Sequence, residues 1–380
     1  MTSKVARFLA DHQPATPCLV LDVDRVESNF HALQSALPLV RIYYAVKANP
    51  AAPILERLVG LGSSFDAASG EEVEMCLAAG AQPSRISFGN TIKKVSAIRR
   101  SFAAGIDLFA FDSDEELDKI AANAPGSRVY CRILVENAGA DWPLSRKFGT
   151  TLEHASALMI RAATLGLDPY GLSFHVGSQQ TDTASYEAAI GRVAMLFTDL
   201  RDAGVDLRMV NLGGGFPARY RDEVPGIDDF GRAIMGAMTE HFGNALPEML
   251  VEPGRFIVAD AGTISAEVVL VSRRGHPKGG RDPVRWVYLD IGRFGGLAET
   301  EGESIKYRIT TPHDGCEAGP VVIAGPTCDG ADILYENAGY RLPLALTSGE
   351  RVSLLSTGAY VTTYASQRFN GFAPLAEYYV

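Results

Sequence analysis

The sequence predicts an α/β protein, a (β/α)8 TIM-like barrel joined to a mostly antiparallel β domain. Three observations predict it. From about residue 40 to 256, short β-branched or aromatic runs alternate with helix-like stretches, the pattern of a parallel sheet. Eight such runs occur, the number that closes a barrel. After about residue 260 the long helical period disappears and β-rich runs separated by Gly and Pro take over.

The elements follow in order. PCLVLDVDRVESN (17–29) reads as a strand running into a helix, and that strand can join the β domain before the chain enters the barrel. The eight barrel runs are VRIYYAVKAN (40–49), SSFDAAS (63–69), RISFGN (85–90), DLFAFDS (107–113), RVYCRILVE (128–136), YGLSFHVGS (170–178), RMVNLGGGF (208–216) and EMLVEPGRF (248–256). Between them, GEEVEMCLAAGA (70–81) has the acids Glu71 and Glu72 in its first turn and Gly80 at its close, which suits a helix dipole and its end. DEELDKIAANA (114–124) is a second helix, with Asp112 or Ser113 as N-cap. The β-rich runs are AGTISAEVVLVSRRG, DPVRWVYLDIG, GPVVIAGPT, LPLALTSGERVSLLS and GAYVTTYAS. The expected division is a barrel over 25–260 and a β domain built from 1–24 and 261–380.

Composition narrows the function classes. A net charge of −10 argues against nucleic acid as partner and suits a cationic small substrate. The apolar runs are too short to span a bilayer, which argues against a membrane partner. The start, MTSKVARFLADHQPATP, has no apolar core of a secretory signal, so a cytoplasmic location is expected. The five cysteines are odd in number and form no Cys-x-x-Cys, and no His-x-x-x-His pair occurs. Reduced thiols and no metal site are expected.

Polar residues collect where barrel chemistry sits, at the C-terminal ends of the strands. These ends carry Lys47, Asp66, Asn90, Arg132, His175, Gly213, Gly214 and Gly215, and Glu252 with Arg255. Lys47 closes an apolar strand, and a desolvated amine there favours imine formation with an aldehyde; a lysine snorkelling to the rim is the alternative. The three glycines let backbone N–H groups approach an anion, or simply make a tight turn. The nucleotide patterns Gly-x-Gly-x-x-Gly and Gly-x-x-x-x-Gly-Lys-Ser/Thr are both absent. Glu252 can hold a pyridine nitrogen protonated and Arg255 can pair with phosphate, unless the two form an internal ion pair. His175 can stack on an aromatic ring or be an ordinary core histidine, and Ser178 can donate to phosphate. In the β domain, Cys328 can donate a proton, Asp329 can meet a cationic substrate end, and Tyr360 offers a phenol; a plain Asp-Gly turn is the bland reading. Together the set is what a phosphorylated aromatic cofactor needs.

Nine stretches in order resemble one family: YYAVKAN (43–49), FDAASGEE (65–72), LSRKFG (144–149), FHVGSQ (174–179), NLGGGFP (211–217), VEPGRF (251–256), GPTCDGAD (325–332), GAY (358–360) and FNGF (369–372). The chain resembles the pyridoxal 5'-phosphate (PLP) decarboxylases with the alanine-racemase-type barrel, and within them the ornithine/lysine decarboxylases. The resemblance implies a Schiff base at Lys47, His175 against the ring, and Glu252 at the pyridine nitrogen. It implies Ser178, the three glycines, Arg255 and Tyr360 on the phosphate, with Asp66 and Arg132 near the Schiff base and ring hydroxyl. It further implies that Cys328 protonates the α-carbon after CO2 leaves, that Asp329 and Phe369 line the substrate, and that Cys328 and Asp329 come from the partner of a homodimer.

Substrate choice is read from two segments. Cys-Asp-Gly at 328–330 suits a distal ammonium, whereas diaminopimelate decarboxylases usually carry Cys-Glu-Ser, and alanine racemases lack this turn. The second acid of ornithine decarboxylases falls on Glu303 by gapless counting from Gly292, with Glu299 and Glu301 as alternatives. The expected reaction is L-ornithine to putrescine. Lysine or dual specificity is the alternative, and carboxynorspermidine or diaminopimelate is less favoured. The chain ends eight residues after FNGF, without the animal degradation tail, so a bacterial-type enzyme is expected. An inactive antizyme-inhibitor-like binding protein is the non-enzyme alternative, opposed by the retention of Lys47, Glu252, Arg255, Cys328 and Asp329.

Overall fold

The structure is a computed structural model that describes residues 1–135, 139–142, 147–275 and 283–380. Leu144, Ser145 and Arg146 of the LSRKFG stretch lie outside the described residues. The chain divides into two compact units. One comprises Glu27–Pro217 and Val224–Ile257, the other Met1–Val26, Ala218–Glu223 and Val258–Val380.

The first unit is a closed barrel of eight parallel strands. They are β1 (Val40–Ala45), β2 (Ser64–Ala67), β3 (Ile86–Phe88), β4 (Leu108–Phe111), β5 (Arg128–Arg132), β6 (Asp168–Ser173), β7 (Met209–Asn211) and β8 (Glu248–Val251). Each pairs with its neighbour in sequence, and β8 closes on β1 through Val251 opposite Ile42. Every predicted run therefore contains a strand. The strands are shorter than the runs because the residues after each strand turn into the loops that carry the polar groups. β2 and β4 are buried at every position, as expected when both faces of a parallel sheet are covered. Tyr43, Leu108, Ala110, Tyr130, Tyr170, Met209 and Leu250 form one buried cluster that joins six of the strands.

The helix predicted after β2 spans Gly70–Ala78. The Ser69 hydroxyl accepts from Glu72 N (3.1 Å), and the Glu72 carboxylate accepts from Ala68 N (2.7 Å), so both sides of the start are satisfied. The helix Asp114–Asn123 differs from expectation. Ser113 occupies the N-cap position without a side-chain bond, and the Asp112 carboxylate instead accepts from Gly149 N (2.7 Å).

The second unit is built on an eight-stranded, mostly antiparallel sheet. The strand Cys18–Leu21 pairs antiparallel with Gly262–Arg274 and parallel with Ala376–Tyr379, so the early strand does join the β unit. One β-rich reading fails. GAYVTTYAS forms turns and a short 3-10 segment, Thr362–Tyr364. The cause is local: a Cβ at Gly358 would lie 1.9 Å from Val258 O, and Tyr360 adopts a left-handed conformation (φ 55°), neither compatible with a ladder.

Candidate active site

The barrel strands deliver their polar residues to one rim. Lys47 lies just past β1, in a single 3-10 turn, Val46–Ala48. Its Nζ pairs with Asp66 Oδ2 at 3.1 Å, and 42% of its side chain is exposed. The expectation of an amine desolvated by the strand is therefore corrected, because the turn swings Lys47 out of the apolar stack and the opposing charge is Asp66. Asp66 ends β2 and is buried. A Cβ at Gly89 would sit 1.8 Å from Asp66 Oδ1, so only glycine leaves room for that carboxylate. Among the described residues Asp66 Oδ1 has no hydrogen-bond partner. Asn90, in the next loop, donates to Ala68 O (3.2 Å).

Glu252 follows β8 and is half-buried. Burial and the neighbouring Asp66 push its carboxyl up from 4.5 to about 7, against the pull of Lys47, an Asn211 hydrogen bond and Arg132. Asn211, the last residue of β7, donates through Nδ2 to Glu252 Oε1 and accepts from Gly213 N (2.9 Å). Arg132 ends β5, and its guanidinium lies over the Phe148 ring at 5.8 Å.

His175 is half-buried beside Arg132 and Lys47, and desolvation followed by these two cations pushes its pKa well down, which favours the neutral ring. Its Nδ1 accepts from Gly177 N at 3.0 Å, which leaves the ring proton of the neutral form on Nε2. Ser178 Oγ accepts from the buried Arg255 Nη2 at 3.0 Å. The three glycines have a packing reason of their own. A Cβ at Gly213, Gly214 or Gly215 would meet Phe174 O at 2.2 Å, Glu252 O at 2.5 Å or Gly177 O at 2.4 Å. Gly213 and Gly215 also have positive φ (70° and 105°).

The remaining predicted residues lie in the β unit. Cys328 and Asp329 are exposed on the 325–332 turn. Asp329 Oδ1 accepts from Ala331 N (2.8 Å). Phe369 packs on Phe294 with ring centroids 4.8 Å apart, and Tyr360 packs on Tyr364 at 5.8 Å. Glu303 is half-buried, and its Oε1 accepts from both Glu336 N and Asn337 N at 2.6 Å. Glu299 is buried and Glu301 exposed. Sequence reasoning passed over Asn211, Gly89 and Asp332. Asn211 was legible as a polar residue at a strand end. Gly89 and Asp332 were not, because their importance lies in what they pack against.

The rim fits pyridoxal phosphate. Glu252 is a half-buried acid pushed up to about 7 beside a second carboxylate, and a protonated pyridine nitrogen would add a cation directly against it. A lysine amine, a neutral imidazole and an Arg–Ser pair beside a glycine turn stand on the same rim. Among the described residues, no group of three His, Cys, Asp or Glu is placed to hold a metal, and no helix is long and apolar enough to cross a membrane.

Comparison with known proteins agrees with this geometry. Residues 23–259 match the model of the pyridoxal-dependent decarboxylase, pyridoxal binding domain. The lysine/ornithine decarboxylase of Selenomonas ruminantium is 33% identical over 374 residues, 98% of this chain and 91% of that protein. Among solved structures, the lysine/ornithine decarboxylase of Vibrio vulnificus complexed with cadaverine superposes with a TM-score of 0.87 at 30% identity, covering 100% of this chain and 99% of that one. SrLDC in complex with PLP and cadaverine superposes with a TM-score of 0.87 at 31% identity, covering 100% and 93%. With this match over the barrel and near-complete coverage of such relatives, the chain belongs to the pyridoxal-dependent decarboxylases of the alanine-racemase-type fold, lyases that use PLP on basic amino acids.

Proposed function

We propose that the protein decarboxylates L-ornithine to putrescine and CO2, using the residues at the barrel rim to hold PLP. The observation that carries this reading is the set Lys47–Asp66, Glu252–Asn211 and Arg255–Ser178 on one rim. Bound PLP supplies the sink for the electron pair left behind when CO2 departs.

The chain's own groups do the rest. Lys47 would hold the aldehyde carbon covalently, with Asp66 orienting its amine. Glu252 would keep a proton on the ring nitrogen, and the neutral His175 would offer a flat, uncharged face to the ring. Arg255, Ser178, the N–H groups of Gly213 to Gly215, and Tyr360 would hold the phosphate; Arg132 would lie near the ring hydroxyl. Cys328 would return a proton to the α-carbon. Asp329 and Phe369 would receive the distal end of the substrate. In this reading Cys328 and Asp329 serve the site of a partner subunit, so the working unit is a homodimer, and the location is cytoplasmic.

In this reading Glu303 would be the second acid at the distal ammonium, as gapless counting from Gly292 gives it. An oxygen already carrying two N–H donors is a poorer acceptor for an ammonium, which keeps Glu299 and Glu301 as alternatives. A second reading, dual action on lysine and ornithine, is favoured by the Selenomonas and Vibrio relatives, whose names carry both substrates.

The test is CO2 release from ornithine, lysine, arginine, diaminopimelate and carboxynorspermidine. The highest kcat/KM on ornithine supports the proposal, equal values on lysine favour the dual reading, and release only from diaminopimelate removes both. Borohydride reduction of the PLP-loaded protein should label Lys47. Lys47→Ala should lose the label and nearly all turnover.

A further inference from the structure

The turn that carries Cys328 is fixed from two directions. Inside it, Asp332 is buried, and its Oδ2 accepts from Thr327 N (3.0 Å) and Thr327 Oγ1 (2.7 Å) while its Oδ1 accepts from Arg293 N (2.7 Å). Gly325 N donates to Asp332 O (2.8 Å), which closes the loop into a ring. A Cβ at Gly325 would lie 2.4 Å from the Asp332 carboxylate, and one at Gly292 would lie 2.1 Å from it, so both glycines make room for this one acid. At the tip, the Asp329 side chain takes Ala331 N (2.8 Å), and the Asp329 carbonyl takes Asp332 N (3.1 Å).

One donor at the tip finds its acceptor outside the turn. Cys328 N donates to Asn370 Oδ1 at 2.9 Å, across 42 residues of chain. Asn370 lies in an unusual stretch: Arg368, Asn370 and Gly371 all have positive φ (58°, 51° and 80°). A left-handed conformation is costly for residues with a Cβ and is best tolerated by Asn, and such outliers persist where the surroundings impose them. The strained backbone aims the Asn370 amide at Cys328 N.

We infer that Asn370 is a positioning residue that sets the direction of the Cys328 thiol. The inference rests on the proposed role of Cys328 in returning a proton to the α-carbon. Asp332 fixes the base of the turn, Asn370 fixes its tip, and Cys328 is exposed there. Without the Asn370 acceptor the tip can rotate about Asp332, and the thiol loses its aim. A proton that the Cys328 thiol no longer directs to the α-carbon would be free to end on the cofactor instead. Water would then release an amino-aldehyde in place of the diamine, the amino group remaining with the cofactor.

Three variants test this. Asn370→Gly keeps the left-handed backbone and removes the acceptor. Asn370→Asp keeps an acceptor oxygen at the same reach. Cys328→Ala is the reference for a missing proton donor. The readouts are the share of turnovers ending in amino-aldehyde and the amide hydrogen exchange of Cys328 N–H in the PLP-loaded protein. For Asn370→Gly the expectation is amide exchange about fivefold faster, the size expected from one hydrogen bond, with a clear rise in amino-aldehyde. KM for ornithine should stay near the wild-type value, and Asn370→Asp should restore both readouts. The inference is overturned if Asn370→Gly partitions like wild type while Cys328→Ala produces amino-aldehyde, or if Asn370→Asp is as impaired as Asn370→Gly. If Cys328→Ala itself yields only diamine, the proton-donor reading fails first, and the role of Asn370 falls with it.

Discussion

Asn211 bridges Glu252 and Gly213: its amide nitrogen donates to the Glu252 carboxylate, and its amide oxygen accepts from Gly213 N at 2.9 Å. One side chain at the end of β7 thus ties the acid proposed for the ring nitrogen to the first glycine of the proposed phosphate turn. Asn211→Ala should therefore disturb both ends of the cofactor. It leaves a buried acceptor and a buried N–H unpaired, at about 1–3 kcal/mol of fold stability each. The expected outcome is a loss of about 2 kcal/mol in urea unfolding and PLP affinity lowered about tenfold, read from absorbance when PLP is titrated into cofactor-free protein.

The Glu252 carboxyl makes a pH prediction with a definite sign. Burial and Asp66 raise it from 4.5 to about 7, so the folded state keeps a proton that the unfolded state has lost. Stability then falls as pH rises between 4.5 and 7. Relative to wild type, cofactor-free Glu252→Gln should show a flatter profile in that window, by about 2 kcal/mol. Urea unfolding at intervals from pH 4.5 to 7.5 measures the difference, and parallel profiles would remove the burial argument.

Gly214→Ala tests the packing reason for the triple glycine. Its added Cβ would meet Glu252 O, a backbone atom, at 2.5 Å, and the rim must open to admit it. Lower expression, or a folded protein that no longer retains PLP through gel filtration, is the expected result. A variant with wild-type PLP retention would show that the loop shifts at little cost.

Much of this was legible in the sequence for a physical reason. A parallel strand covered on both faces is a short apolar run, and its C-terminal end is where polarity begins, so Asp66, Arg132 and Glu252 announce themselves. What was not legible depends on three-dimensional proximity. The exposure of Lys47 follows from a single 3-10 turn that an apolar run does not signal. Gly89 matters only because Asp66 Oδ1 fills the space its side chain would take. Asp112 looked like a helix cap and instead serves Gly149 N, 37 residues away. GAYVTTYAS has strand-forming residues, but Gly358 packs against Val258 O too closely for a strand.

Lys93 gives the last prediction. It has no exposed side-chain surface, and its Nζ pairs with Glu116 Oε1 at 2.9 Å and donates to Asn90 O (2.7 Å) and Ala110 O (2.5 Å). It therefore staples the loop after β3 and the strand β4 to the helix that carries Glu116. Burial lowers its pKa to about 8, against the pull of Glu116. The sign follows directly. Above pH 8 the folded state sheds a proton that the unfolded lysine keeps to about 10.5, so this group makes the protein more stable as pH rises from 8 to 10. Lys93→Met keeps the length and removes the charge and its donors. At pH 7 it should cost about 3 kcal/mol, because Glu116 loses its buried counter-charge, keeping Lys119 and the backbone N–H of residue 93, and the carbonyls of Asn90 and Ala110 lose the Lys93 donor. Between pH 8 and 10 the wild type should gain about 2 kcal/mol relative to Lys93→Met. Chemical denaturation of both proteins across that range checks it, and a difference that stays constant with pH would mean the buried amine does not titrate there.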